Sequence, residues 1–182
     1  MNIGELKNLI NKIVKDASLL KNEYTDEKNA PVNYACIFSQ NNDQFDLLVK
    51  TAKQIGKIIK ETETGPLFQI YPLETICGQL KLLKIRRPDK TRFESGDADF
   101  TIKDFRNFKK KYGSQKFFKL IKREDFEMVE LANPGFNVRA YFSNPPLDKQ
   151  LIINYRGRVP CLPVGREQPS CAKATEGKQT TR

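Results

Sequence analysis

An α+β fold, with an antiparallel sheet carrying helices on one face, is what three features of this sequence predict. Short β-type runs recur between Val32 and Ser143, each bounded by turn residues. Compact segments of helical periodicity interrupt those runs, and a longer amphipathic segment precedes them. The length of 182 residues, 38% hydrophobic and 30% charged, suits one domain or two small halves sharing a core.

In residues 2–21, Ile3, Leu6, Ile10, Ile13, Val14 and Leu20 recur at helical spacing with polar residues between them. The polar stretch from Lys21 to Ala30 reads as a linker, so residues 1–30 form either a helix packed on the body or a separate arm. Val32 to Ser39 is the first strand. Asn41-Asn42-Asp43 supplies N-cap chemistry for a helix whose inner face is Phe45, Leu48, Val49, Ala52 and Ile55, and Gly56 suits its C′ position. Lys57 to Thr62 and Leu67 to Tyr71 read as strands joined by the Thr64-Gly65-Pro66 turn. Gln79 to Arg87 follows as a strand whose Leu80-Lys81-Leu82-Leu83-Lys84-Ile85 breaks strict alternation.

After a polar loop, residues 97–102 alternate: Ala98, Phe100 and Ile102 face one way, Asp97, Asp99 and Thr101 the other. Asp104 caps a basic helix, Phe105 to Tyr112. Lys116 to Lys122 and Phe126 to Leu131 form a hairpin, and Val138 to Ser143 is the last strand before Asn144-Pro145-Pro146. A globular body over residues 31–150 is therefore expected. Residues 151–182 read as a disordered basic tail, with too little apolar surface to offset its ordering entropy.

Histidine is absent, which excludes Ser-His-Asp and Cys-His catalysis and mixed Cys/His zinc sites. The cysteines, Cys36, Cys77, Cys161 and Cys171, form no Cys-x-x-Cys pair, so no zinc is expected, and Cys36 reads as a small buried hydrophobe. No apolar run is long enough for a transmembrane helix, and the first residues lack the pattern of a signal peptide. The expectation is a cytoplasmic protein without membrane contact. Of the net charge of +10, half falls after residue 148.

The order strand, helix, strands from Val32 to Ile102 resembles one βαβββ module of the vicinal-oxygen-chelate superfamily, which includes glyoxalase and bleomycin-resistance proteins. Gly96-Asp97-Ala98-Asp99-Phe100 is similar to the family's Gly-aromatic-Glu-His type strand, and residues 103–147 resemble a second module after a first at 31–102. The resemblance implies a small-ligand-binding domain of glyoxalase type and, from the family's habit of pairing modules, a possible homodimer. It also implies a divalent metal held by His and Glu. This chain has Asn33-Tyr34 and Ala98-Asp99 at the comparable places, so only Asp99 matches a ligand in kind.

Tyr34, Lys84, Asp97, Asp99 and Thr101 are the candidate ligand-binding residues. Asp97 and Asp99, about 7 Å apart on one strand face, are also a candidate site for Mg²⁺ or Mn²⁺, which prefer oxygen donors. Such a site would make the protein a metal-dependent enzyme. Alternatively both acids pair with Lys81, Lys84 or Arg86, or simply face water. A third reading draws on residues 103–123, with nine Lys/Arg and one acid. There Lys109, Lys110, Lys111 and Lys116 could bind nucleic acid or an acidic partner, with salt-sensitive affinity. Phe105, Phe108 and Tyr112 sit at ordinary core spacing within it.

Overall fold

A computed structural model describes residues 1–154, so most of the tail read from residue 151 onward lies outside the described residues. Eight strands form one sheet in the order β2-β3-β4-β1-β5-β8-β7-β6. The first half holds β1 (Val32–Phe38), α2 (Asn42–Ala52), β2 (Gly56–Lys60), β3 (Leu67–Thr75) and β4 (Gly78–Arg86). The second half holds β5 (Gly96–Phe100), α3 (Phe105–Tyr112), β6 (Phe118–Lys122), β7 (Glu127–Leu131) and β8 (Arg139–Asn144). Each half is a βαβββ repeat, the architecture that the sequence resemblance implies, and one chain supplies both.

Two details differ from the expectation. The sheet is mixed rather than wholly antiparallel, because each repeat pairs its first and last strands in parallel, β1 with β4 and β5 with β8. The repeats meet at the antiparallel β1–β5 pair. The repeat boundary therefore falls between β4 and β5, not after residue 102. The Gly96–Phe100 strand opens the second repeat instead of closing the first. Gly96 permits that central pairing, since a Cβ there would lie 2.1 Å from the Cys36 carbonyl oxygen. Gly56 has an equivalent role and is not a helix C′ residue. It starts β2, where a Cβ would meet the Gln69 carbonyl oxygen at 2.3 Å.

Alternation assigns the two faces of the sheet. Ala35, Ile37, Leu83, Ile85, Ala98, Phe100, Ala140 and Phe142 belong to the main core. Over them lies α1 (Ile3–Tyr24), in contact with β1, β3, β5, β8 and α2. Leu6, Ile10, Val14, Ala17 and Leu20 on α1 are fully buried, so this helix is the centre of the core and not an arm. A capping box, Asn2 with Glu5, starts it. Its last turn is tied down by Lys21, which is fully buried. The ammonium donates to Asn22 Oδ1 at 2.6 Å and to the carbonyls of Glu27 and Lys28 at 2.5 and 3.0 Å. On α3, the Phe108 ring lies 4.4 Å from that of Phe142, which places α3 on the same face as α1.

The opposite face carries Tyr34, Cys36, Lys84, Arg86, Asp97, Asp99, Tyr141 and Ser143. A helix the sequence reading did not anticipate, α4 (Leu147–Asn154), crosses this face beside β1. Residues 151–154, assigned from sequence to the tail, continue that helix.

Candidate functional site

Strand register assembles the site on the face away from α1. Tyr34 is opposite Asp99 and Cys36 opposite Asp97 across β1–β5, while Cys36 is also paired with Lys84 across β1–β4. Because β1 separates β5 from β4, Lys84 and Arg86 are two strands from the acids. They do not form the adjacent-strand pairs that the sequence left open. Asp97 and Asp99 are both buried, at 7% and 4% exposure, so neither faces water.

The face divides into a filled end and a hollow end. At the filled end, Arg139 bridges Glu94 at 2.6 Å and Glu130 at 3.0 Å, and Arg92 lies 3.6 Å from Glu130. Tyr141 donates to Glu130 as well. Burial alone would push the Glu130 carboxyl up, but Tyr141 and Arg139 together hold it below the usual carboxylate range. Arg86 and Arg92 lie over the Phe38 ring, at 5.8 and 5.9 Å from its centroid.

At the hollow end, a cavity of 280 Å³ is walled by both repeats and by α4. The first repeat contributes Tyr34, Lys60, Thr62, Leu67 and Lys84. The second contributes Asp99, Phe126, Met128 and Ser143, and α4 closes it with Leu147, Gln150 and Leu151. Three of the five sequence-predicted ligand residues, Tyr34, Lys84 and Asp99, thus share one cavity. Asp97 is not in its wall, and Thr101 lies past the end of β5, where its N–H donates to the Pro31 carbonyl at 2.9 Å.

Asp99 accepts from the Ser143 backbone N–H at 3.2 Å and from the Ser143 hydroxyl. Burial pushes its pKa up to about 6 against the opposing effect of those two bonds. Asp97 is pushed further, to about 8, by burial first and by the charge of Asp99 second. Its Oδ1 is buried with no hydrogen-bond partner among the described residues. The neutral acid is therefore its favoured form at pH 7. Burial likewise raises Tyr34 well above its ordinary value and lowers Lys84, whose ammonium donates to Thr64 Oγ1 at 2.6 Å.

These residues do not fit a resident divalent ion. Among the described residues no three His, Cys, Asp or Glu side chains gather where they could hold a metal. Asp97 is excluded from the cavity wall, which leaves Asp99 as the one carboxylate among its described lining residues. Asp97 and Asp99 consequently supply too few free donors for the Mg²⁺ or Mn²⁺ site read from the sequence.

Larger hollows lie elsewhere, one of 520 Å³ among the loops at Phe93, Glu94 and residues 132–139. Another, of 690 Å³, runs between α3 and β6 and takes in Lys109 and Lys110, but not Lys111 or Lys116. Lys109 pairs with Glu127 at 2.7 Å, Lys111 pairs with Asp26, and Lys116 lies 4.8 Å from the Phe117 ring centre. Phe105, Phe108 and Tyr112 are buried, so these aromatics are core and not stacking platforms. Among the described residues no helix is long and apolar enough to cross a membrane.

Sequence reasoning missed Ser143, Lys60, Met128 and the residues of α4. Ser143 was within reach, because Ala140 and Phe142 alternate with Tyr141 and Ser143 along β8 just as Ala98 and Phe100 alternate with the two acids along β5.

No family model matches the chain, and no curated protein matches it. Among solved structures it is similar to "Structural Genomics, Protein EC4020", with a TM-score of 0.64 and 10% identity over 84% of this chain and 92% of that one. At that identity the likeness shows a shared fold alone. A glyoxalase/bleomycin resistance protein/dioxygenase superfamily member from Vibrio splendidus 12B01 superposes with a TM-score of 0.39 and 7% identity, over 63% of this chain and 97% of that one.

Proposed function

We propose that this protein binds a small organic ligand in the cavity between its two repeats. The observation that carries the reading is the convergence of Tyr34, Lys84 and Asp99, from three different strands, on one partly apolar hollow. Ligand sites are typically concave and apolar, with a few polar groups placed to orient the ligand. Leu67, Phe126, Met128, Leu147 and Leu151 provide the apolar wall here. A volume of 280 Å³ is just below the usual range of roughly 300–1,000 Å³. That size favours a metabolite-sized molecule over a polymer.

The arrangement supports binding more directly than catalysis. Asp99 with a pKa near 6 is suited to exchanging a proton close to neutrality, but nothing beside it defines a reacting bond. Chemical-shift mapping of the full chain against a library of small polar fragments tests the proposal. Binders should move the backbone signals of Tyr34, Asp99 and Ser143 together. A library producing shifts only elsewhere, or none, would remove the cavity as a ligand site.

A further inference from the structure

The charges around the cavity are unbalanced in a way that specifies a ligand class. Lys60 and Lys84 stand on the first-repeat side, and among the described residues neither has a carboxylate within 4.0 Å. Lys84 is half-buried, its one hydrogen-bond acceptor among the described residues is the neutral Thr64 hydroxyl, and burial depresses its pKa. A desolvated cation without a counter-ion is costly, and an anion brought alongside it relieves that cost.

Asp99 stands on the second-repeat side with the converse deficit. Its bonds come from Ser143 alone, and no Lys or Arg lies within 4.0 Å among the described residues. A carboxylate has room for about four donors, so positions remain for a ligand. Asp97, Tyr34, Tyr141 and Asp148 are the other titratable groups around it, and none of them brings a positive charge. Lys84 and Asp99 are two strand spacings apart and offset by two residues along the strands, so roughly 12 Å separates their backbones. Leu147 and Leu151 of α4, which packs on β1, bring apolar surface between the two ends.

We infer that the cavity takes a small amphoteric molecule, with a carboxylate or similar anion at Lys60 and Lys84, an amine at Asp99, and an apolar body between them. This rests on the cavity being a ligand site and specifies what enters it. The filled end of the same face shows the alternative way of treating buried charge. There Arg92, Arg139, Glu94 and Glu130 neutralise one another within the protein. Among the described residues the hollow end lacks that internal pairing, so the compensating charges are supplied by the ligand.

Calorimetric titration of the full chain with two matched series tests this. One comprises ε-aminocaproate, caproate and hexylamine; the other comprises γ-aminobutyrate, butyrate and butylamine. In at least one series the amphoteric member should bind about tenfold tighter than either single-charge analogue. Lys84→Met should reduce its affinity to that of the amine, and Asp99→Asn to that of the acid. The comparison within wild-type protein stands even if a variant fails to fold. Equal affinity for the amphoteric member and a single-charge analogue in both series overturns the inference. So does absence of binding by all six compounds. If uncharged or singly charged fragments still shift Tyr34 and Ser143, the ligand site survives and only its assigned chemistry fails.

Discussion

Burial against β1 and β8 leaves Oδ1 of Asp97 without a donor among the described residues, and the acid responds by holding its proton up to about pH 8. In the unfolded chain the same carboxyl titrates at about 3.9. Between those values the folded state keeps a proton that the unfolded state has lost, so stability declines as pH rises toward the folded pKa. Asp99, with a folded pKa near 6, adds a similar decline only below that point. Above it Asp97 continues the decline, and the chain has no histidine to obscure the slope. Wild-type protein should lose about 1–2 kcal/mol between pH of about 6.5 and 8, and Asp97→Asn should abolish that loss. Urea unfolding across the interval measures it, and an unchanged slope in the variant would refute the account of this carboxyl.

Lys21 belongs to the same scale but serves the loop after α1. Replacing it by Met leaves the Glu27 and Lys28 carbonyls without the ammonium donor. The expected cost is about 1–3 kcal/mol in chemical denaturation. A variant as stable as wild type would show that water substitutes freely for the ammonium there.

Among the elements, α1 carries the clearest mechanical consequence. Its apolar stripe is inserted under β1, β5 and β8, joining the two repeats at their seam. Ile10 is fully buried and Leu19 is 51% exposed on the same helix. Ile10→Ala should therefore cost about 2–5 kcal/mol, while Leu19→Ala should stay within about 0.5 kcal/mol. Equal effects in equilibrium unfolding would return α1 to the status of a detachable arm.

The helical stripe of α1, the cap at Asn41 and the alternation of β5 were all legible, because each is a local pattern with a local physical cause. Strand order was not, since nothing in Gly96–Phe100 states whether it ends one repeat or begins the next. A cue existed in the two sheet edges. Lys57-Ile58-Ile59-Lys60 in β2 and Lys119-Leu120-Ile121-Lys122 in β6 share one pattern, and the two strands have the same burial profile. Lysines on edge strands also discourage strand addition from another chain. α4 was hidden for a different reason: its few apolar residues show little helical periodicity, and its place over the cavity depends on tertiary contact.

At the scale of the molecule, duplication of a βαβββ unit produces a sheet with one face covered by α1, α2 and α3 and the other crossed by α4 beside β1. Tyr34, Asp99 and Lys84 were legible as candidates because alternation alone places them on the face away from α1. The split of that face into a self-neutralised end and a hollow one required coordinates, since it depends on Arg92 and Glu94 folding back from the loop between repeats. The central claim is that the hollow end admits a ligand, and obstruction tests it most directly. Leu151→Trp places added volume in the cavity from α4, away from the strand core. Titrated with the compound that most strongly shifts Ser143 in the wild-type chain, this variant should retain its melting temperature and lose measurable binding. Undiminished affinity in the obstructed protein would mean that the ligand sits elsewhere.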